Sequence, residues 1–473
     1  MVADPTEPDA RAIDAATEAC EQVLGLVTGR AEGAEALATA VVGTSSLTRF
    51  ANSRIHQNVS EGTRGVRLAV AIDGRLARAS TTRTDGDGLA ALADRALAAA
   101  VLRPADPGFA GFAPPAPVPD VDHWDAGTAA ATPDQRAEVV AAFVEAAAGE
   151  AATGDRRARA VSSEAAGYCS TRAVARALVS TTGQRATGRT AMAQLDGIHR
   201  VSGAEGDPAD GYAQLTSVRL GDLDGAACGA RAAAKAWGGL DPVELAPGDY
   251  EVVLEPKAVA AALLFPAYLG FNGKAHAEGT SFVHLGEPQW DASVDIWDDA
   301  TDPRALGHCV DAEGTSTRRL DLVRAGVSVG LTHDRRSARL AGVEPTGHAV
   351  GSDAMGGLPV NLFLGGGDRT PDQLVAAVER GLLVTDLWYN RILDPKTQVV
   401  TGLTRNGLFL IEDGRIARPV QNLRYTQSIV AAFGPGQVRG LGDDGQLVGS
   451  EEGVRHVPSV HLASWSFTGN ARG

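Results

Sequence analysis

Between residues 249 and 269 the chain reads DYEVVLEPKAVAAALLFPAYL, and this stretch limits the fold more than any other. Its first part is strand-like and ends in Val252-Val253-Leu254. Pro256 suits the first turn of a helix, where the missing N–H would have no intrahelical partner anyway. From residue 258 to 269 no charged side chain follows, so the helix has no face to offer water. Such a helix has to be enclosed on all sides. Pro266 lies within it, and its ring opposes the carbonyl of Ala262, which predicts a kink. The enclosing material is readable downstream. Short β-type runs at 327–331, 407–411, 415–420 and 457–462 alternate with Gly, Asp and Pro turns, and Asp413-Gly414 is a strong hairpin signal. Thr370-Pro371 opens a single interrupting helix, expected from Asp372 to about Leu382. Residues 241–473 therefore read as a mainly antiparallel β domain carrying a buried helix.

The first half has a different texture. In residues 1–103, an amphipathic helix over 12–27 ends near Gly29, and strand-like runs cover 38–42 and 66–70. Asp73-Gly74 marks a hairpin, and an Ala-rich helix over 89–102 stops before Pro104. Residues 104–122 are Pro-rich and read as an extended connector rather than core. In residues 123–240, Thr132-Pro133 opens a helix to about Gly149, strands are expected near 160–168, 173–180 and 190–195, and a helix over 223–237 closes the segment. The fold class is α+β, with N-terminal helix-and-antiparallel-strand layers followed by the β-rich domain.

Composition narrows the function classes. A chain of 473 residues, 44% hydrophobic and 21% charged, is an ordinary globular protein of roughly two to three domains. With 43 Lys+Arg against 58 Asp+Glu the net charge is −15, and no basic run reverses it, so nucleic acid is not an expected partner. Cys20, Cys169, Cys228 and Cys309 are far apart, which gives neither a disulfide framework nor a cysteine zinc knuckle. The acidic N-terminus lacks an apolar signal region, and no stretch approaches about 18 uncharged apolar residues. A cytoplasmic protein without a membrane span is the expectation.

Local motifs for chemistry are sparse. The sequence contains no G-x-S-x-G elbow, no phosphate-binding P-loop, no helix-opening G-x-G-x-x-G and no H-E-x-x-H. Gly365-Gly366-Gly367 precedes a helix, but the following Asp368 opposes an anion and favours a plain turn. His276 and His284 are eight residues apart, an even spacing that can place two imidazoles on one strand face. His308-Cys309 is a poor chelate, because adjacent strand residues point to opposite faces. Asp311 and Glu313 share a face if the segment is extended, which suits cation binding or acid–base work. Without further context these residues read as solvated loop and strand positions.

The ordered pattern over nearly the whole chain resembles the TldD/TldE (TldD/PmbA) family. Glu61-Gly62-Thr63-Arg64-Gly65-Val66-Arg67 before a hairpin is similar to that family's G-x-G-V-R strand. Asp311-Ala312-Glu313-Gly314-Thr315, with Ala325-Gly326-Val327 after it, resembles the D-D-E-G-T segment and its N-G-V hairpin. Gly381-Leu382-Leu383-Val384-Thr385-Asp386-Leu387 is similar to the G-L-x-V-T-E-L of the PmbA/TldE branch, and Glu412-Asp413-Gly414-Arg415-Ile416 with Pro419-Val420 resembles the E-N-G-x-I…P-V hairpin. The resemblance implies a two-domain cytoplasmic metalloprotease system that processes peptides or unfolded segments, in which a zinc-bearing TldD-type subunit pairs with a TldE-type subunit.

The departures from the family pattern carry the functional expectation. In TldD-type chains the V-V-L strand leads into a helix bearing H-E-x-x-x-H, and the cysteine of C-G-x-D-G-Q completes the zinc ligands. Here the corresponding positions fall on Leu264, Phe265 and Leu269, and Leu441-Gly442-Asp443-Asp444-Gly445-Gln446 has Leu441 in place of the cysteine. None of these side chains can ligate zinc. The resemblance thus implies a TldE-like subunit without catalytic or metal-binding residues of its own, with zinc held by the TldD-type partner in a hetero-oligomer. Asp311 and Glu313 are the substrate-binding candidates, and a homodimer in the partner's absence stays open. Two rivals remain. One is a stand-alone metallopeptidase with a relocated site at His276, His284, Asp311 and Glu313. The other is a non-enzymatic binding protein, since the family also carries a label as modulator of DNA gyrase.

Overall fold

The computed structural model describes residues 10–121, 123–149, 160–203, 208–450 and 453–470, so the expectations for the first nine residues lie outside the described residues. Strands β1 (Glu35–Ala51), β2 (Arg54–Ile72), β3 (Arg75–Thr81), β4 (Ala160–Ser180), β5 (Arg185–Gly203) and β6 (Ala209–Ser217) form one antiparallel sheet in the order β3-β2-β1-β4-β5-β6. The segments on either side of the Pro-rich stretch therefore build a single sheet. Their seam is the β1–β4 ladder, which runs from Leu37↔Ser180 to Phe50↔Gly167. Gly43 permits the close approach there, because a Cβ at that position would lie 2.2 Å from the Ala173 carbonyl oxygen. The expected runs at 160–168 and 173–180 are parts of the one long β4. At the β2–β3 hairpin Asp73 and Gly74 both have positive φ (49° and 73°), the two-residue turn their sequence predicts.

Period-two alternation sorts the residues of this sheet onto two faces. Ala36, Ala38, Ala40, Val66, Leu68 and Val70 pack under helices α1 (Ala10–Arg30) and α2 (Gly86–Leu102), against Cys20, Val23 and Leu92. Helices α3 (Pro133–Gly149) and α4 (Gly225–Gly238) cover the other end, where Phe143, Cys169, Leu195 and Cys228 meet. The opposite face, with Leu37, Ala69 and Leu178, turns toward the C-terminal half. The described residues of the Pro-rich segment have no regular structure, yet Phe112 is buried against Leu37 and Leu178. The connector is thus part of the packing, contrary to the expectation that it lies outside the core; two aromatic side chains, Phe109 and Phe112, make the difference.

Among the described residues the C-terminal half has two sheets. One has nine strands: β7 (Gly248–Leu254), β12 (Arg380–Val384), β13 (Leu387–Asp394), β14 (Val399–Thr404), β15 (Leu408–Glu412), β16 (Arg415–Pro419), β17 (Leu423–Ser428), β18 (Val438–Leu441) and β21 (Val460–Asn470). The other has six: β8 (Ile296–Asp298), β9 (Leu320–Arg324), β10 (Val327–Ser328), β11 (Asn361–Leu364), β19 (Gln446–Ser450) and β20 (Gly453–Val457). Pairing is antiparallel except for β7–β12 and β11–β20. Helix α5 (Pro256–Ala262) enters a core to which both sheets contribute, among them Val252, Leu382, Leu410 and Leu462 from the first and Ile296, Val323, Leu362 and Val457 from the second.

Two local expectations need correction. The helix opened by Thr370 has its capping box with Gln373 but spans only Pro371–Ala376; Leu382 belongs to β12, held between β7 and β15. The run at 457–462 is the end of β20 and the start of β21. The predicted kink is present: α5 ends at Ala262 with Leu263 as its C-cap, and a wider π turn, Pro266–Gly270, closes with the Phe271 N–H donating to the Pro266 carbonyl at 2.9 Å. No helix among the described residues is long and apolar enough to cross a membrane.

Candidate functional site

The positions that the resemblance assigns to metal ligands, Leu264, Phe265, Leu269 and Leu441, carry hydrocarbon side chains. Leu264 and Phe265 lie between the end of α5 and the π turn that contains Leu269, and all three are half-buried. Phe265 packs against the domain core, and Leu441, 8% exposed at the end of β18, belongs to that core. The G-D-D-G-Q turn after Leu441 is structural. Asp444 accepts from the Ser459 amide at 2.9 Å and from its hydroxyl at 2.6 Å, and the Gly442 N–H donates to the Ser459 carbonyl at 2.8 Å. Four side chains without a lone pair do not fit a zinc ion.

A wide cavity separates the open face of the first sheet from the C-terminal half. Its volume is about 1030 Å³, at the upper end of small-ligand sites. Asp311 lines it; Glu313 does not. The segment is a tight turn with Gly314 at φ 87°, so the extended geometry that would align the two carboxylates is absent. Asp311 accepts from the N–H groups of Glu313 (2.9 Å), Thr315 (2.9 Å) and Ala349 (3.0 Å), and burial still pushes its carboxyl up to about 6. Glu313 accepts from the Arg335 N–H at 2.8 Å, in the first turn of the short helix Arg335–Ala341. Burial first, then the nearby charges of Asp311 and Asp334, push Glu313 up to about 7. Both carboxylates therefore hold loops in place. Beside them the buried Asp298 takes the Asn361 N–H at 2.6 Å and contacts His348 at 3.0 Å, while His348 reaches the Thr346 hydroxyl at 2.9 Å.

His276 and His284 both line a separate surface pocket of about 690 Å³, together with Glu287. Among the described residues no three His, Cys, Asp or Glu side chains are grouped so as to hold a metal ion. His308 and Cys309 diverge as expected: Cys309 donates to the Ala300 carbonyl, and His308 contacts the Thr190 hydroxyl at 3.3 Å.

Sequence reasoning missed the cationic wall of the large cavity. Arg67 of β2 and Arg172 and Arg176 of β4 project into it from the sheet's open face. The available signal was alternation: these arginines fall at two- and four-residue intervals from Ala69, Val174 and Leu178, which share their face. A third groove, about 500 Å³, opens where the Lys235–Glu255 ion pair ties α4 to the start of α5, with Lys257 over the Tyr212 ring and Asp444 opposite.

Residues 247–469 match the PmbA/TldA metallopeptidase C-terminal domain, and residues 39–100 match domain 1 of the same family. In structure the chain is similar to TldE from Thermococcus kodakarensis, with a TM-score of 0.82 at 18% identity, covering 95% of this chain and 100% of that one. It is similar to a Thermotoga maritima protein described as a modulator of a DNA gyrase, with a TM-score of 0.82 at 19% identity and coverage of 96% and 100%. A Bacteroides thetaiotaomicron protein with the same description gives 0.79 at 22% identity, covering 96% of this chain and 98% of that one. Identities this low speak for the shared fold, helices and antiparallel sheets included.

Proposed function

The chain belongs to the PmbA/TldD family of metallopeptidases, and we propose that it is a subunit of such a peptidase without metal chemistry of its own. It pairs with a zinc-bearing TldD-type chain and completes the enclosure in which that partner cleaves peptides or unfolded segments in the cytoplasm. The observation that carries this reading is the hydrocarbon at the inherited positions: Leu264, Phe265, Leu269 and Leu441, of which Phe265 and Leu441 pack into the domain core. A peptide substrate would be held chiefly through backbone hydrogen bonds as an added strand, a mode that needs few specific side chains.

The test is reconstitution. The purified chain, a TldD-type chain of the family, and their mixture are compared for bound metal and for hydrolysis of an unstructured peptide. The chain alone should carry no stoichiometric zinc and cleave nothing, while the mixture should co-elute and cleave. The rival of a relocated site has one observation in its favour, the shared pocket of His276 and His284. Stoichiometric metal and hydrolysis by the isolated chain, both lost in His276→Ala or His284→Ala, would replace the proposed reading with that one.

A further inference from the structure

The sheet-side wall of the large cavity carries charge that its surroundings do not balance. The register puts Arg67 opposite Thr39 and Arg176 opposite Val41, so the two stand one pleat apart on the same face, with Arg172 further along β4. Arg67 and Arg172 keep solvent access, and Arg176 is half-buried. Among the described residues none of the three is ion-paired with a carboxylate, and the Arg176 Nε is buried without a hydrogen-bond partner. Burial first, then the charges of Arg172 and Arg67, pull Arg176 down to about 10.

Among the described residues the other polar groups at the cavity form no ion pair with them. His308 fills the space left by Gly188, where a Cβ would lie 3.0 Å from its ring. Burial, Arg176, His123 and Arg172 together press His308 down to about 3, so it is a neutral imidazole. Asp298 and Asp311 are engaged by His348 and by backbone N–H groups, and Asp120 is exposed. The two remaining arginines of the cavity have partners of their own: Arg78 pairs with Asp353 at 2.8 Å, and Arg189 stacks on Trp124. In a chain of net charge −15, three unpaired guanidinium groups facing one cavity are a local reversal of sign.

Guanidinium groups present forked donors that match the two oxygens of a carboxylate or phosphate. We propose that this cavity is an oxyanion site: Arg67, Arg172 and Arg176 bind the carboxylate or phosphate group of a small ligand whose apolar part rests on Leu37, Val174 and Leu178. Its volume of about 1030 Å³ has room for such a body as well as the anion. The inference does not depend on whether the chain is catalytically silent.

The full chain is titrated calorimetrically, at fixed ionic strength, with pyrophosphate and separately with citrate. At least one should bind saturably, and the tighter of the two assigns the phosphate or carboxylate source. Arg176→Gln and Arg67→Gln should each weaken that binding by about tenfold or more. Arg176→Gln should also melt at or above the parent temperature without ligand, because one of three repelling charges is gone; Arg67→Gln, at an exposed position, guards against a folding defect. Failure of both anions to saturate at millimolar concentration, or a folded Arg67→Gln chain that binds as tightly as the parent, overturns the proposal.

Discussion

Replacing Glu313 by Gln isolates the energetic role of the D-A-E-G-T turn. The side chain accepts from the Arg335 N–H at 2.8 Å, a bond that the glutamine carbonyl can keep. What the substitution removes is a charge held in a place that disfavours it. Burial, Asp311 and Asp334 push Glu313 from 4.5 up to about 7. The folded protein therefore binds this proton more tightly than the unfolded chain does. Stability falls as pH rises through the window from 4.5 to about 7, and the loss is complete above it. A gap of that size corresponds to about 3 kcal/mol. Glu313→Gln should thus leave stability near the parent's at about pH 5 and raise it by about 1–3 kcal/mol at about pH 8. Urea unfolding of both proteins at the two pH values measures the difference directly. An equal offset at both would refute the reasoning, since the cost would then not come from ionisation.

Three further outcomes are expected. Gly43→Ala should destabilise the chain by about 3 kcal/mol or more, because the new methyl group would press on the Ala173 carbonyl in the β1–β4 seam; a thermal melt checks it. Thr370→Ala should cost about 1 kcal/mol in urea unfolding by removing the capping box with Gln373. The quadruple change Leu264→His, Phe265→Glu, Leu269→His and Leu441→Cys places polar groups where Phe265 and Leu441 pack in the core, at roughly 1–3 kcal/mol each, and zinc should restore part of that stability. A folded quadruple variant whose melting temperature ignores zinc would mean that the four positions do not converge.

The parts of this structure that the sequence announces are those governed by a few neighbouring residues. Asp73-Gly74 and Asp413-Gly414 turn as their chemistry demands, with positive φ at all four residues, and Pro266 breaks its helix for a reason confined to one ring. Arg380–Val384 shows the opposite case. Its Leu-Leu-Val run suits a helix or a strand, and the choice is made by β7 and β15, which lie far away in sequence. The joining of both N-terminal segments into one sheet is likewise a long-range pairing without a local mark. Candidate site residues divide along the same line. Leu264, Phe265, Leu269 and Leu441 are conspicuous only against a family pattern. Arg67, Arg172 and Arg176 look like ordinary strand charges until the sheet shows that they share a face opposite a second domain.

The two neighbours of β1 reach it at very different times. β2 follows across the Asn52-Ser53 turn, whereas β4 lies roughly a hundred residues downstream, beyond the connector and α3. At a synthesis rate of about 5–20 residues per second, β1 waits seconds for its second partner, with one row of backbone N–H and C=O groups unpaired. A waiting edge of that kind invites pairing with another nascent copy. The middle of β1 is poorly suited to it: Gly43, Thr44, Ser45 and Ser46 stand where an apolar strand would carry Val or Ile. The same glycine that lets β4 close in therefore belongs to a run that keeps other strands from arriving first.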